Sequence, residues 1–89
     1  MEKSTHSPHY QALKKRLVEL REGAGMSQRA LAAKLDVPRS FVSRFELGER
    51  RIDLVELFWI SQALGADPLD IAMQLTKTFR KIEKEISSS

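Results

Sequence analysis

The 89-residue sequence contains no cysteine. That excludes a disulfide scaffold and a thiolate metal site, and it fits a reducing compartment. No apolar run approaches the length needed to span a bilayer, and the opening MEKSTHSPHY carries no apolar core of signal-peptide length. A soluble cytoplasmic protein is therefore expected. Histidine occurs only at His6 and His9, there is no glycine-rich loop to cradle a phosphate, and no nucleophile stands beside a base in any recognisable pattern. Enzymatic function is accordingly not expected, nor is a cofactor. His6 and His9 form an H-x-x-H pair, but Pro8 lies between them and no third ligand is near, so no metal is assigned to them. A chain this short forms one small domain, in which every helix must contribute a stripe to the core.

Charge is modest overall, at +3, but unevenly placed. Residues 1–51 hold eleven Lys/Arg against six Asp/Glu, whereas residues 52–89 hold four against six. Between Ile52 and Thr76 there are four acids and no base, so that part is expected to face away from any polyanion.

The most informative stretch is SQRALAAKLDVPRSFVSRF, Ser27 to Phe45. Ser27 is an N-cap, and Leu31, Ala32 and Leu35 recur at helical spacing. A turn centred on Leu35-Asp36-Val37-Pro38 follows. Pro38 suits the first position of a second helix, in which Val42 and Phe45 face inward. Arg39, Ser40, Ser43 and Arg44 fall on the opposite face. A short helix with arginines and hydroxyls outward, braced by another helix, is what a DNA major groove accepts. Each arginine is able to fork onto a guanine, worth about 1 to 3 kcal/mol of discrimination. Arg39 is equally suited to a phosphate.

Other helices flank this motif. Leu13, Leu17 and Leu20 give an amphipathic helix over about Tyr10–Glu22, closed by Gly23 and Gly25. Gly48 ends the third helix. Asp53 caps a fourth over about Leu54–Leu64, with a core stripe of Leu54, Leu57, Ile60 or Ser61, and Leu64. Asp67-Pro68 opens the last, predicted to run to about Ile86 with Ala72, Leu75, Phe79, Ile82 and Ile86 as a helix-contact stripe. Residues 1–8 are expected to be a disordered tail, 9–75 the folded domain, and 76–89 an extension of the last helix.

In family order, Ser27-Gln28, Leu31-Ala32, Leu35, Val37, Val42-Ser43-Arg44, Glu46, Gly48 and Ala63-Leu64-Gly65 resemble the Cro and lambda-repressor-like helix-turn-helix domains, over roughly Leu13 to Ile71. The resemblance implies an all-α, five-helix fold, here with an extended C-terminal helix. It implies that Arg44 points into the groove, that Gln28 holds a phosphate, and that Arg50 and Arg51 lie along the DNA backbone. It also implies a structural ion pair between Arg21 and Glu46. Asp36 stands where the family usually has glycine, Pro38 where it has Ser or Thr, and Leu47 where it has a polar residue. Val55 and Trp59 occupy positions that the family commonly fills with polar side chains, so an exposed apolar patch is expected. Together with Leu75, Phe79 and Ile82 it forms a candidate dimer surface, unless the last helix folds back over it.

The function implied is a sequence-specific DNA-binding regulator, acting as a homodimer on a palindromic operator in double-stranded DNA. By resemblance its setting is a phage repressor, a restriction-modification controller or an antitoxin that caps a toxin. The alternative is a protein-interaction adaptor that docks a partner through Val55, Trp59 and the C-terminal helix.

Overall fold

Each helix starts where a short polar side chain or a proline meets an apolar period. A computed structural model describes residues 5–88, and among them there are five α-helices and no strand. They are α1 (Pro8–Gly23), α2 (Gln28–Leu35), α3 (Arg39–Glu46), α4 (Leu54–Ala63) and α5 (Pro68–Ser88). The Ser7 hydroxyl caps α1 by accepting from the Tyr10 amide at 3.1 Å, and Ser27 caps α2 through the Ala30 amide at 3.0 Å. Asp53 and Glu56 close a reciprocal capping box on α4, at 2.8 and 3.0 Å. Asp67 accepts from the Leu69 amide at 2.9 Å at the start of α5.

The core is where the helical stripes converge. Leu17 of α1, Leu31 and Ala32 of α2, Val42 and Phe45 of α3, and Ile60 and Leu64 of α4 form one buried cluster. Ser61 is also fully buried, its hydroxyl donating to the Leu57 carbonyl at 2.7 Å, so the polar group is satisfied within its own helix. Leu54, expected in this stripe, is instead 77 % exposed. It is the first residue of α4, and the inward row begins one turn later, with Leu57 half-buried and Ile60 and Ser61 fully so.

Two further expectations are corrected. Thr5, His6 and Ser7 do not belong to a disordered tail: Ser7 is the α1 cap, Thr5 donates through Oγ1 to the Gly48 carbonyl, and Gln11 Nε2 returns to the Thr5 carbonyl at 2.8 Å. Residues 1–4 of the expected tail lie outside the described residues. Leu75, expected on a dimer surface, is only 5 % exposed. The reason is that α5 runs back along α1: Arg16 Nε donates to Gln74 Oε1 at 3.1 Å, and Phe79 packs its ring on His9, centroids 5.6 Å apart. Phe79 and Ile82 are accordingly half-buried within the chain. His9 also lies 3.4 Å from Glu83 Oε1. None of the five helices is long and apolar enough to cross a membrane.

Candidate nucleic-acid interface

The recognition surface begins with a turn that an L-residue seldom makes. Asp36, at the C-cap of α2, sits at φ 56° and ψ 47°, the left-handed region. Aspartate is among the few non-glycine residues that adopt it at small cost. The turn then reverses direction through Val37, whose amide returns to the Ala32 carbonyl at 3.0 Å. Pro38 is the N-cap of α3 rather than its first helical residue, and it makes no side-chain cap. Its extended ψ of 150° leaves its carbonyl free to accept from the Phe41 amide, which starts the helix at Arg39. At the other end, Gly48 adopts φ 79° and lets the chain turn away at once.

Across α3 the two faces divide cleanly. Val42 and Phe45 are buried, and Phe41 stacks edge-on against Phe45 at 5.8 Å. Arg39, Ser40 and Arg44 are exposed and Ser43 is half-buried, with its hydroxyl turned back to the Ser40 carbonyl at 3.3 Å. The Arg44 guanidinium makes no hydrogen bond or ion pair with any described residue.

Behind this face runs a chain of polar contacts from α1 to the tip of α3. Arg21 grips Glu46 with two parallel bonds, Nε to Oε2 at 2.7 Å and Nη2 to Oε1 at 3.0 Å, and sends Nη1 to the Met26 carbonyl at 2.8 Å. The side chains are 13 % and 7 % exposed. The Glu46 hydrogen bond raises the Arg21 pKa still further above its ordinary value, so the guanidinium stays charged. Gln28 Nε2 donates to the same Glu46 Oε1 at 2.9 Å. A carboxylate only accepts, so this bond fixes which way the Gln28 amide faces. Its Oε1 is thereby aimed at Arg39, whose Nη2 lies 3.4 Å away.

The loop after α3 departs from expectation. Arg50 does not extend outward; it forms a bidentate pair with Glu56 at 2.7 and 3.1 Å and lies 4.5 Å over the Phe41 ring. Glu56 is thus shared between the α4 capping box and Arg50, so the loop is pinned to the start of α4. The Tyr10 hydroxyl donates to the Arg50 carbonyl at 3.0 Å, and Arg51 sits 5.5 Å over the Tyr10 ring. Burial pushes the Tyr10 phenol up from 10.0, which keeps it a donor. Arg51 is exposed while Arg50 is half-buried.

A helix-turn-helix family match covers residues 17–71, more than half of the chain. The chain belongs to the helix-turn-helix family. It is 38 % identical over 65 residues to the control protein C.MunI of a Mycoplasma species, covering 73 % of this chain and 78 % of that one. Among solved structures it superposes on an XRE-family like protein from Pseudomonas syringae pv. tomato with a TM-score of 0.78 and 41 % identity, over 82 % of this chain and 89 % of that one. It also resembles the restriction-modification controller protein C.AhdI from Aeromonas hydrophila, with a TM-score of 0.60 and 36 % identity, over 65 % and 88 % of the two chains. The protein is a DNA-binding regulator of the XRE-type helix-turn-helix class.

Within this helix-turn-helix domain, Arg21 and Glu46, the pair that the resemblance implied, lie 2.7 Å apart. Sequence reasoning missed two contacts. The capping-box spacing of Asp53 and Glu56 was there to be read, and it would have flagged Glu56 as the partner that takes Arg50. Nothing in the sequence pattern marked Tyr10 as the clamp on the Arg50 carbonyl. On α4, Val55 and Trp59 are exposed, at 54 % and 56 %, and α5 does not cover them. Phe58 joins them on the exposed side.

The Glu56 carboxyl is held below its ordinary 4.5, first by the Arg50 hydrogen bond. A lowered folded pKa stabilises the native state above the unfolded value, and the effect is lost as pH falls through the folded one. Glu56→Gln is therefore expected to destabilise the fold by on the order of 1 kcal/mol at neutral pH, discounted for the half-exposed arginine. The deficit shrinks as pH falls below about 4. Urea unfolding of both proteins at pH 7 and pH 3 checks this; a deficit of equal size at both values contradicts it.

Proposed function

We propose that the protein is a sequence-specific transcriptional regulator that binds a palindromic operator as a homodimer in the cytoplasm, and that it is a restriction-modification control protein acting on its own operon. The observation that carries the reading is Arg44: an unpaired, exposed guanidinium in the last turn of a helix, which a buried ion pair at Glu46 clamps in place. In this reading Arg44 and Arg39 read base edges with Ser40 and Ser43 beside them, and Gln28 and Arg51 hold phosphates. Gln28 retains one amide proton after bonding Glu46, which suits it to bridge the protein frame and a phosphate oxygen. Arg50 is a brace for the loop. The control and controller proteins to which the chain is similar support the operon assignment.

Dimerisation follows from the operator. One recognition helix reads one half-site, and two half-sites about 34 Å apart on one face of the duplex need a twofold pair of domains. Val55, Phe58 and Trp59, spaced three and four residues apart on the exposed side of α4, form an apolar surface suited to it.

Selection from random duplexes followed by sequencing tests the reading. The expected product is a palindromic consensus, and Arg44→Ala is expected to lose preference at one position per half-site, by about 1 to 3 kcal/mol or roughly five- to 150-fold. A consensus unchanged by Arg44→Ala, or none at all, would refute it.

A further inference from the structure

The second half of α5 is longer than the core requires. Beyond Leu75, only Phe79 and Ile82 are half-buried, with the Phe79 ring packed on His9 of α1. The opposite face carries Lys77, Arg80, Lys81 and Lys84, at helical spacings of three, one and three. All four are exposed, and none of their side chains has a hydrogen bond or ion pair with a described residue. Of the two acids in the same stretch, Glu83 is turned to His9 at 3.4 Å and Glu85 lies to one side of the row. The basic excess of the chain is thus not confined to the helix-turn-helix. Residues 52–76 separate two cationic regions, and the second is a stripe of one sign whose members repel each other unless a polyanion lies across them.

The place of the stripe indicates which polyanion. The last turns of α5 close one side of a cavity whose other walls include Tyr10, Arg51 and Ile52, so the C-terminal end of the helix lies beside the loop after α3, with the stripe on its outer face, turned away from the cavity. Lys77 to Lys84 rises about 10 Å along the helix, the axial length of about three base pairs. A membrane surface fits poorly, because an interfacial helix needs its apolar face free and here that face packs on α1.

We propose that Lys77, Arg80, Lys81 and Lys84 form a second contact surface for duplex DNA, engaging phosphates beyond the half-site read by α3. The assignment rests on the DNA-binding reading above. It gives affinity and salt sensitivity without sequence information.

The test uses two duplexes with the selected operator, one ending at its edges and one extended by ten base pairs on each side. Binding of the full chain is measured by fluorescence anisotropy from 0.1 M salt upward. Wild type is expected to bind the longer duplex at least tenfold more tightly. The triple variant Lys77→Gln/Lys81→Gln/Lys84→Gln is expected to match wild type on the short duplex within a few-fold and to lose the gain on the long one. Its slope of log affinity against log salt falls by about 2 to 3 per protomer on the long duplex, near 0.9 for each phosphate released. The substituted side chains are exposed, so an unchanged circular dichroism spectrum accompanies this result. A gain on the long duplex equal to that of wild type, or an equal loss on both duplexes, overturns the proposal. If selection returns no consensus, the operator reading alone fails. The stripe is then judged on random-sequence duplex, where the triple variant must bind more weakly with the smaller slope, and equal binding overturns it.

Discussion

Glu46→Ala is expected to destabilise the domain by about 3 to 5 kcal/mol, because it leaves the Arg21 charge buried with no counter-ion. The carboxylate is 7 % exposed and receives three hydrogen bonds, two from Arg21 and one from Gln28. Alanine removes both acceptor oxygens and with them all three bonds, and of the partners described only the Met26 carbonyl still faces the guanidinium. A domain of this size has a total stability of roughly 5 to 12 kcal/mol, so much of the margin is lost. At about 4 to 8 °C per kcal/mol, the melting temperature should fall by about 12 °C or more. The double variant Arg21→Met/Glu46→Leu should recover most of that loss, since an apolar pair of similar volume needs no desolvation of charge. Thermal unfolding of the three proteins checks the pair. A loss below 1 kcal/mol for Glu46→Ala would show that the ion pair is not a structural tie. Recovery of stability without recovery of operator affinity in the double variant is also expected, because Gln28 then loses the acceptor that fixes its amide.

Much of this was legible because local rules and global packing agree. Ser27, Asp36, Gly48, Asp53 and Asp67 each mark a boundary by a mechanism that needs no tertiary contact, and α2, α3, α4 and α5 begin or end beside them. Long-range pairing is where the residues alone ran out. Arg50 and Arg51 are adjacent and chemically identical, yet Glu56 takes the first while the second stays exposed beside the Tyr10 ring. Only the capping box, which brings Glu56 back over the start of α4, distinguishes them. Of the stripe expected over Ala72, Leu75, Phe79, Ile82 and Ile86, Leu75 is buried, Ala72, Phe79 and Ile82 are half-buried, and Ile86 is exposed. What a helical period does not specify is the partner, and α1 of the same chain supplies it. Likewise the acidic balance of residues 52–89 concealed a boundary near residue 76, because a sum over a segment averages the two faces of a helix.

That reassignment sharpens the dimer prediction. Trp59→Asp is expected to convert the protein from a dimer to a 10.2 kDa monomer with no loss of melting temperature beyond what dissociation itself removes, because Trp59 is 56 % exposed and contributes little to the fold of a single chain. An indole buries 150–250 Å² at most, so about half of that, at roughly 25 cal/mol per Å², is worth about 2 to 3 kcal/mol per copy. A twofold interface uses the same residue twice, so the loss is about 4 to 6 kcal/mol, with a desolvated carboxylate added to it. The dimer constant should therefore weaken by more than about a thousandfold. Affinity for the palindrome falls with it, since each half-site is then held alone, while binding to a single half-site is kept. Phe79→Asp should behave in the opposite way: its ring packs on His9 within the chain, so the variant loses stability but keeps dimer mass while folded. Light scattering and thermal melts of both variants separate the two surfaces. If Trp59→Asp retains the wild-type dimer mass, the exposed side of α4 is not where the copies meet, and if wild type itself has monomer mass, the twofold reading of the operator fails with it.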